Sequence, residues 1–139
     1  MSTSSRHLVA NARDRIRNMS VAEVAEALET GAVTLVDLRE PDEVQREGAI
    51  PDAVQAPRGM LEFWADPAGP YHRAEFDPLV RTILYCASGG RSALAAQTLQ
   101  ELGYTDVSHL DGGLAAWKDQ GRPVTFQTPP SPPGDREDP

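Results

Sequence analysis

The segment Cys86-Ala87-Ser88-Gly89-Gly90-Arg91 gathers a sulfur nucleophile, two glycines and a permanent positive charge between an apolar strand candidate, Thr82–Tyr85, and a helix candidate from Ser92 to Leu102. In open parallel sheets, ligand sites lie at the carboxyl ends of strands, and the two glycines permit positive φ and close backbone approach there. Successive N–H groups of Ala87, Ser88, Gly89, Gly90 and Arg91 can then turn toward the Cys86 sulfur. The helix N-terminus and the Arg91 guanidinium add positive charge at the same point. Together they favour an anionic sulfur, a nucleophile that needs no histidine base. A lone cysteine after a strand is also commonly a buried apolar residue or half of an intermolecular bridge. The Gly-Gly-Arg context at a strand-to-helix turn favours the reactive thiol.

The elements that position this loop are legible around it. Ser20 to Glu23 has the capping-box pattern, and Val21, Val24, Ala25 and Leu28 recur at helical spacing until Gly31. Ala32–Leu38 is a nearly continuous apolar strand whose end carries Asp37, Arg39 and Glu40, as expected for a strand covered on both faces. Pro41, Asp42 and Glu43 open a helix that Gly48 ends. Ala53–Ala56 is a weak strand, and Met60, Leu61, Phe63 and Trp64 form a helix packing on the core. Gly103 closes the helix from Ser92, Val107–Leu110 is a last strand, Asp111-Gly112-Gly113 a turn, and Leu114–Gln120 a short helix in which Trp117 packs on that strand. Strands alternating with helices make the fold class α/β, with a largely parallel sheet and helices on both faces.

The chain has 139 residues, 40% apolar and 24% charged, which suits one domain. We assign residues 1–18 to a polar, Arg-rich leader, 19–126 to the domain and 127–139 to a Pro-rich disordered tail. A net charge of −8 disfavours nucleic-acid binding, and no apolar stretch suggests a signal or a membrane anchor. With one cysteine there is no internal disulfide, which suits a reducing compartment and a cytoplasmic location. His72 and His109 lack partners at metal-ligand spacing, so no metal is expected and each reads as a surface or strand-edge residue. No cofactor is expected either.

Five pieces occur in order over about residues 20 to 125: Val36-Asp37-Leu38-Arg39 with Glu40; Gly48-Ala49-Ile50-Pro51-Asp52-Ala53; Tyr85-Cys86 through Arg91-Ser92; Leu102-Gly103-Tyr104; and Leu110-Asp111-Gly112-Gly113 followed by Trp117 and Gly121-Arg122-Pro123-Val124. In these the chain resembles the rhodanese family. The resemblance implies a five-stranded, mostly parallel sheet, a catalytic cysteine at Cys86, and a loop whose amides cradle the transferred sulfur. It further implies that Asp37 and Arg39 belong to a structural polar cluster. One departure is Ala49, where the family often has histidine, a residue read as structural.

The expected activity is sulfur transfer through a Cys86 persulfide. A small-molecule donor such as thiosulfate or a persulfide supplies the sulfur, and an external thiol, cyanide or a partner protein accepts it, because no second cysteine is present to resolve it. Arg58 either reaches the mouth of the site to bind an anionic donor or is an ordinary exposed arginine. Related cysteine phosphatases have five residues between Cys and Arg to surround a tetrahedral oxyanion, whereas here there are four. A redox-sensing or non-catalytic binding module is the alternative from another class.

Overall fold

A computed structural model of the chain describes residues 2–126; the tail assigned to 127–139 lies outside the described residues. The elements follow in the order α1 (Ser5–Arg15), β1 (Arg17–Met19), α2 (Val21–Thr30), β2 (Val33–Asp37), α3 (Pro41–Glu47), β3 (Val54–Gln55), a 3-10 turn (Arg58–Met60), α4 (Leu61–Ala65), β4 (Arg81–Tyr85), α5 (Gly90–Glu101), β5 (Val107–Leu110) and α6 (Gly113–Asp119).

Alternation along the strands decides the layering. In β4, Ile83 and Tyr85 point to one face while Leu84, and Cys86 just beyond, point to the other; Leu35 and Val36 of β2 divide the same way. Both faces are apolar, so both require a cover. Leu61 and Ala65 of α4 with Ala95, Ala96 and Leu99 of α5 cover the Cys86 face. Val21, Val24 and Ala25 of α2 with Leu114 and Trp117 of α6 cover the other. The result is one α/β domain with a five-stranded parallel sheet in the order β1-β5-β4-β2-β3. Its register sets Asp37 beside Tyr85, and Leu84 beside His109, which in turn lies beside Asn18. Like-registered neighbours share a face, so these rows fix which side chains can meet.

The N-terminal segment departs from the expected solvated leader. Ser4 caps α1 by accepting from the His7 N–H at 3.0 Å, and β1 forms the sheet edge beside β5. Ala12 is fully buried, Ile16 packs against the core under α5, and the Val9 side chain lies against Gly90 at the start of α5. The arginines hid this helix, because its inward stripe is only Val9, Ala12 and Ile16. One of them, Arg13, pairs with Asp111 at 2.6 Å and so ties α1 to the end of β5.

Candidate active site

The loop around Cys86 is built by three elements. β4 ends at Tyr85, so Cys86 leaves the sheet at its carboxyl edge; α5 begins at Gly90, two residues earlier than its apolar pattern suggests, so Arg91 lies in the first helical turn. Gly89 makes the connection with φ of +114°, a conformation that disfavours a side chain. The third element is α6. Its Leu114 N–H donates to the Cys86 carbonyl at 2.9 Å and its Ala115 N–H to the Ala87 carbonyl at 3.1 Å. A Cβ on Gly113 would stand 2.6 Å from the Cys86 carbonyl oxygen, so the glycine pair after Asp111 lets α6 close against the loop. From sequence that pair reads as a turn only.

Cys86 is 1% exposed, at the bottom of this loop. Gly89 N–H donates to Sγ at 3.2 Å, and Ser92 Oγ lies 3.6 Å from it. Among the described residues, Gly89 supplies the one loop amide hydrogen-bonded to the sulfur itself. The positive end of the twelve-residue helix α5 faces the same point.

Arg91 is braced rather than free. Its two terminal nitrogens donate to Glu43 Oε1 and Oε2 at 2.7 and 2.9 Å. Glu43 in turn is held by α3, where it accepts from the Glu40 N–H at 3.0 Å in a capping box. The Arg91 bond holds the Glu43 carboxyl down at about 2, and the Glu43 bond, with the Cys86 sulfur adding to it, raises the Arg91 guanidinium above its usual range. Reading Glu43 only as a favourable acid in the first turn of a helix missed this pairing.

Arg58 is not at the loop. Its guanidinium donates to Glu62 at 2.7 Å and reaches Thr98 at 3.4 Å, and Thr98 stands eight residues into α5, about 12 Å from its start at the usual helical rise. The anion-binding role is therefore corrected: the 3-10 turn leads Arg58 along α5 and away from its positive end. His72 is exposed and bonds the Phe76 carbonyl at 2.7 Å. Phe63 is exposed, while Trp64 packs on the core with the Arg73 guanidinium 3.5 Å over its ring.

His109, read from sequence as a surface or strand-edge residue without a role, is fully buried behind the loop. Its Nδ1 lies 2.8 Å from Ser92 Oγ and its Nε2 2.7 Å from Asn18 Oδ1. The signal was in the alternation of β5, which points Val107 and His109 toward α5. Burial pushes the imidazole down to about 4, with Asp111 and Arg13 acting in opposite directions. Unfolded histidine titrates near 6.5, so the unfolded chain binds the extra proton first as the pH falls. Stability from this group is complete above about pH 6.5 and is lost between there and about 4. We expect about 2 kcal/mol less stability at pH 5 than at pH 7 from His109 alone. Urea denaturation at the two pH values, with His109→Asn as the reference, measures it as the difference between their pH dependences.

A cleft of about 280 Å³ opens beside the loop, with Ala87 and Leu114 on its apolar side and Glu43, Arg46 and Lys118 among its charged lining. Next to it, Asp37 accepts from Arg39 Nε at 3.0 Å, from its terminal nitrogen at 2.6 Å and from Tyr85 O–H at 2.7 Å, all out of solvent. This is the polar cluster expected at Asp37 and Arg39.

Known proteins share this fold. The rhodanese-like domain pattern matches residues 20–120. An uncharacterized protein of Synechocystis is 42% identical over 93 residues, covering 67% of this chain and 47% of that protein. The thiosulfate sulfurtransferase GlpE of Pseudoalteromonas translucida is 32% identical over 102 residues, 73% of this chain and 89% of GlpE. Among solved structures, a Rhodopseudomonas palustris protein described as of unknown function and a possible tyrosine phosphatase superposes with a TM-score of 0.85 at 37% identity, covering 90% of this chain and 96% of that one. The chain spans only 24% to 66% of the length of several other curated relatives and of the Synechocystis protein. With the family pattern spanning strands β2 to β5, the cysteine loop and the glycine pair that closes it, the chain belongs to the rhodanese-like domain family.

Proposed function

We propose that this protein is a sulfurtransferase that carries sulfane sulfur on Cys86 from a small donor such as thiosulfate or a persulfide to a thiol or cyanide. The observation that carries the reading is the Cys86 sulfur under the Gly89 N–H at 3.2 Å, at the positive end of α5. In the first step the thiolate attacks the outer sulfur of the donor, and the S–S bond breaks with its electron pair leaving on sulfite. The product is a persulfide whose outer sulfur is anionic. The amides of Ala87, Ser88, Gly89, Gly90 and Arg91 are the groups assigned to hold it. In the second step a nucleophile takes that outer sulfur and the Cys86 thiolate is restored. The cleft beside Ala87 is where we place the acceptor, a low-molecular-weight thiol or the thiol of a partner protein. A chain with one cysteine suits a reducing, cytoplasmic setting. No helix among the described residues is long and apolar enough to cross a membrane.

A second reading, phosphate-ester hydrolysis, is favoured by the possible-phosphatase description of the Rhodopseudomonas structure. Two observations weigh against it. The loop has four residues between Cys86 and Arg91, one short of the ring that surrounds a phosphate, and Arg91 spends both terminal nitrogens on Glu43.

The test is intact mass after incubating the reduced protein with thiosulfate or polysulfide. One added sulfur, about 32 Da, that cyanide removes as thiocyanate is expected from a persulfide carrier. No mass gain from any sulfane donor would overturn the reading and leave a redox-sensing or binding module.

A further inference from the structure

A thiol buried as deeply as Cys86 requires a path for its proton, and one is laid out behind it. Cys86 Sγ, Ser92 Oγ, His109 and Asn18 Oδ1 are joined by contacts of 3.6, 2.8 and 2.7 Å in turn. Ser92 and His109 are fully buried, while Asn18 lies exposed on the edge strand β1. The chain of contacts therefore runs from the sulfur to the surface.

Asn18 sets its direction. The amide nitrogen of Asn18 faces the carbonyl oxygens of Arg13 and Ile16 at 3.0 and 3.4 Å, which only a donor can satisfy, so Oδ1 is the atom turned to His109. That oxygen accepts, so Nε2 carries the ring hydrogen of a neutral His109. Nδ1 is then a bare acceptor at 2.8 Å, nearer than the Gly89 carbonyl at 3.3 Å, and takes the one Ser92 hydroxyl hydrogen, which leaves a Ser92 lone pair for the Cys86 S–H. The ring borders the loop: a Cβ on Gly89 would lie in ordinary contact with His109 Cε1, at 3.6 Å.

We propose that Ser92, His109 and Asn18 form a proton relay for Cys86, in which His109, held by Asn18, is the positioning residue. The inference rests on the reading of Cys86 as a nucleophile. As the S–H bond breaks, its proton passes to Ser92 Oγ and the Ser92 proton passes to His109 Nδ1; the electron pair stays on sulfur. Burial disfavours the charged ring, so the imidazolium is short-lived: it gives the proton to solvent at the exposed Asn18 edge, while the Ser92 hydroxyl donates to the thiolate beside the Gly89 N–H. Water is the only other reactant. The charged groups around the relay are the Arg13–Asp111 pair on the Asn18 side and the Arg91–Glu43 pair on the sulfur side, each internally balanced.

The experiment is the rate of Cys86 alkylation by iodoacetamide at pH 7 and pH 10, for the full chain and for Ser92→Ala and His109→Asn. The side-chain amide in His109→Asn would still accept from Ser92 but cannot pass a proton on. We expect both variants to react at least about tenfold more slowly at pH 7 and within about twofold of the wild type at pH 10, where hydroxide removes the proton directly. Wild-type rates at pH 7 in either variant would overturn the relay. So would an equal loss at both pH values, because that is the mark of a displaced loop. Alkylation reports the thiol without any sulfur donor, so a relay seen in a protein that loads no sulfur would overturn the sulfur-transfer reading alone.

Discussion

Cys86→Ser is expected to remove sulfur loading altogether: no added mass from any sulfane donor, and thiocyanate formation reduced by a factor on the order of 10³ or more, to the background reaction. The substitution is close to isosteric, and the Gly89 N–H that meets Sγ at 3.2 Å can meet a hydroxyl oxygen equally well. The carbonyl bonds from α6 involve only the backbone of residues 86 and 87, so they survive the change. The loop therefore stays folded while its reacting atom becomes a hydroxyl, which is almost wholly protonated at neutral pH and cannot hold a sulfane sulfur as a persulfide. Melting temperature should match the wild type within about 2 °C, because less than about 0.5 kcal/mol is at stake. Thiocyanate formation that persisted in Cys86→Ser would show that sulfur moves without the loop.

Strands β2 to β5, the helices that flank them and the loop around Cys86 were readable from sequence because each announces itself by a local pattern: a nearly continuous apolar run in Ala32–Leu38, a capping box at Ser20 to Glu23, glycines between Cys86 and Arg91. What was not readable depends on register. Asn18 and His109 are 91 positions apart in sequence and become neighbours only because β1 pairs with β5 in parallel with these two residues opposite each other. The β1 strand has three residues, of which only Met19 is buried, too short and too polar to show a period. Glu43 is legible as a helix-start acid and Arg91 as a loop cation, yet their ion pair joins α3 to α5 across the loop and leaves no trace in either local pattern. Arg58 failed for the converse reason. A neighbouring Pro-Arg-Gly sequence suggests a loop near the site, while the tertiary course of the 3-10 turn carries the side chain to Thr98 instead.

Asp37→Ala is expected to cost about 3–5 kcal/mol of stability, a large share of the roughly 5–15 kcal/mol typical of a domain. The reason is what it leaves behind. The Arg39 side chain is 1% exposed, and of its acceptors Asp37 supplies both carboxylate oxygens while the Gly48 carbonyl, at 2.7 Å, supplies the remaining contact. Without the carboxylate a guanidinium that stays charged at any ordinary pH sits uncompensated beside β2. The Tyr85 hydroxyl loses its acceptor as well; burial, with the Asp37 charge, raises this phenol so that it remains a donor throughout. Tyr85→Phe separates the two effects. It keeps the Arg39–Asp37 pair and removes only the hydroxyl that donates to Asp37 and accepts the Ile50 N–H at 3.1 Å, so about 1–3 kcal/mol is expected. Urea unfolding of the two variants gives the comparison directly. Because Tyr85 immediately precedes Cys86 and its carbonyl accepts the Leu38 N–H at 2.9 Å, both changes loosen the strand that aims the sulfur. Sulfur loading should therefore fall in the order of lost stability, Asp37→Ala below Tyr85→Phe, whereas equal stabilities in the two variants would mean that the buried ion pair contributes nothing beyond the hydroxyl it supports.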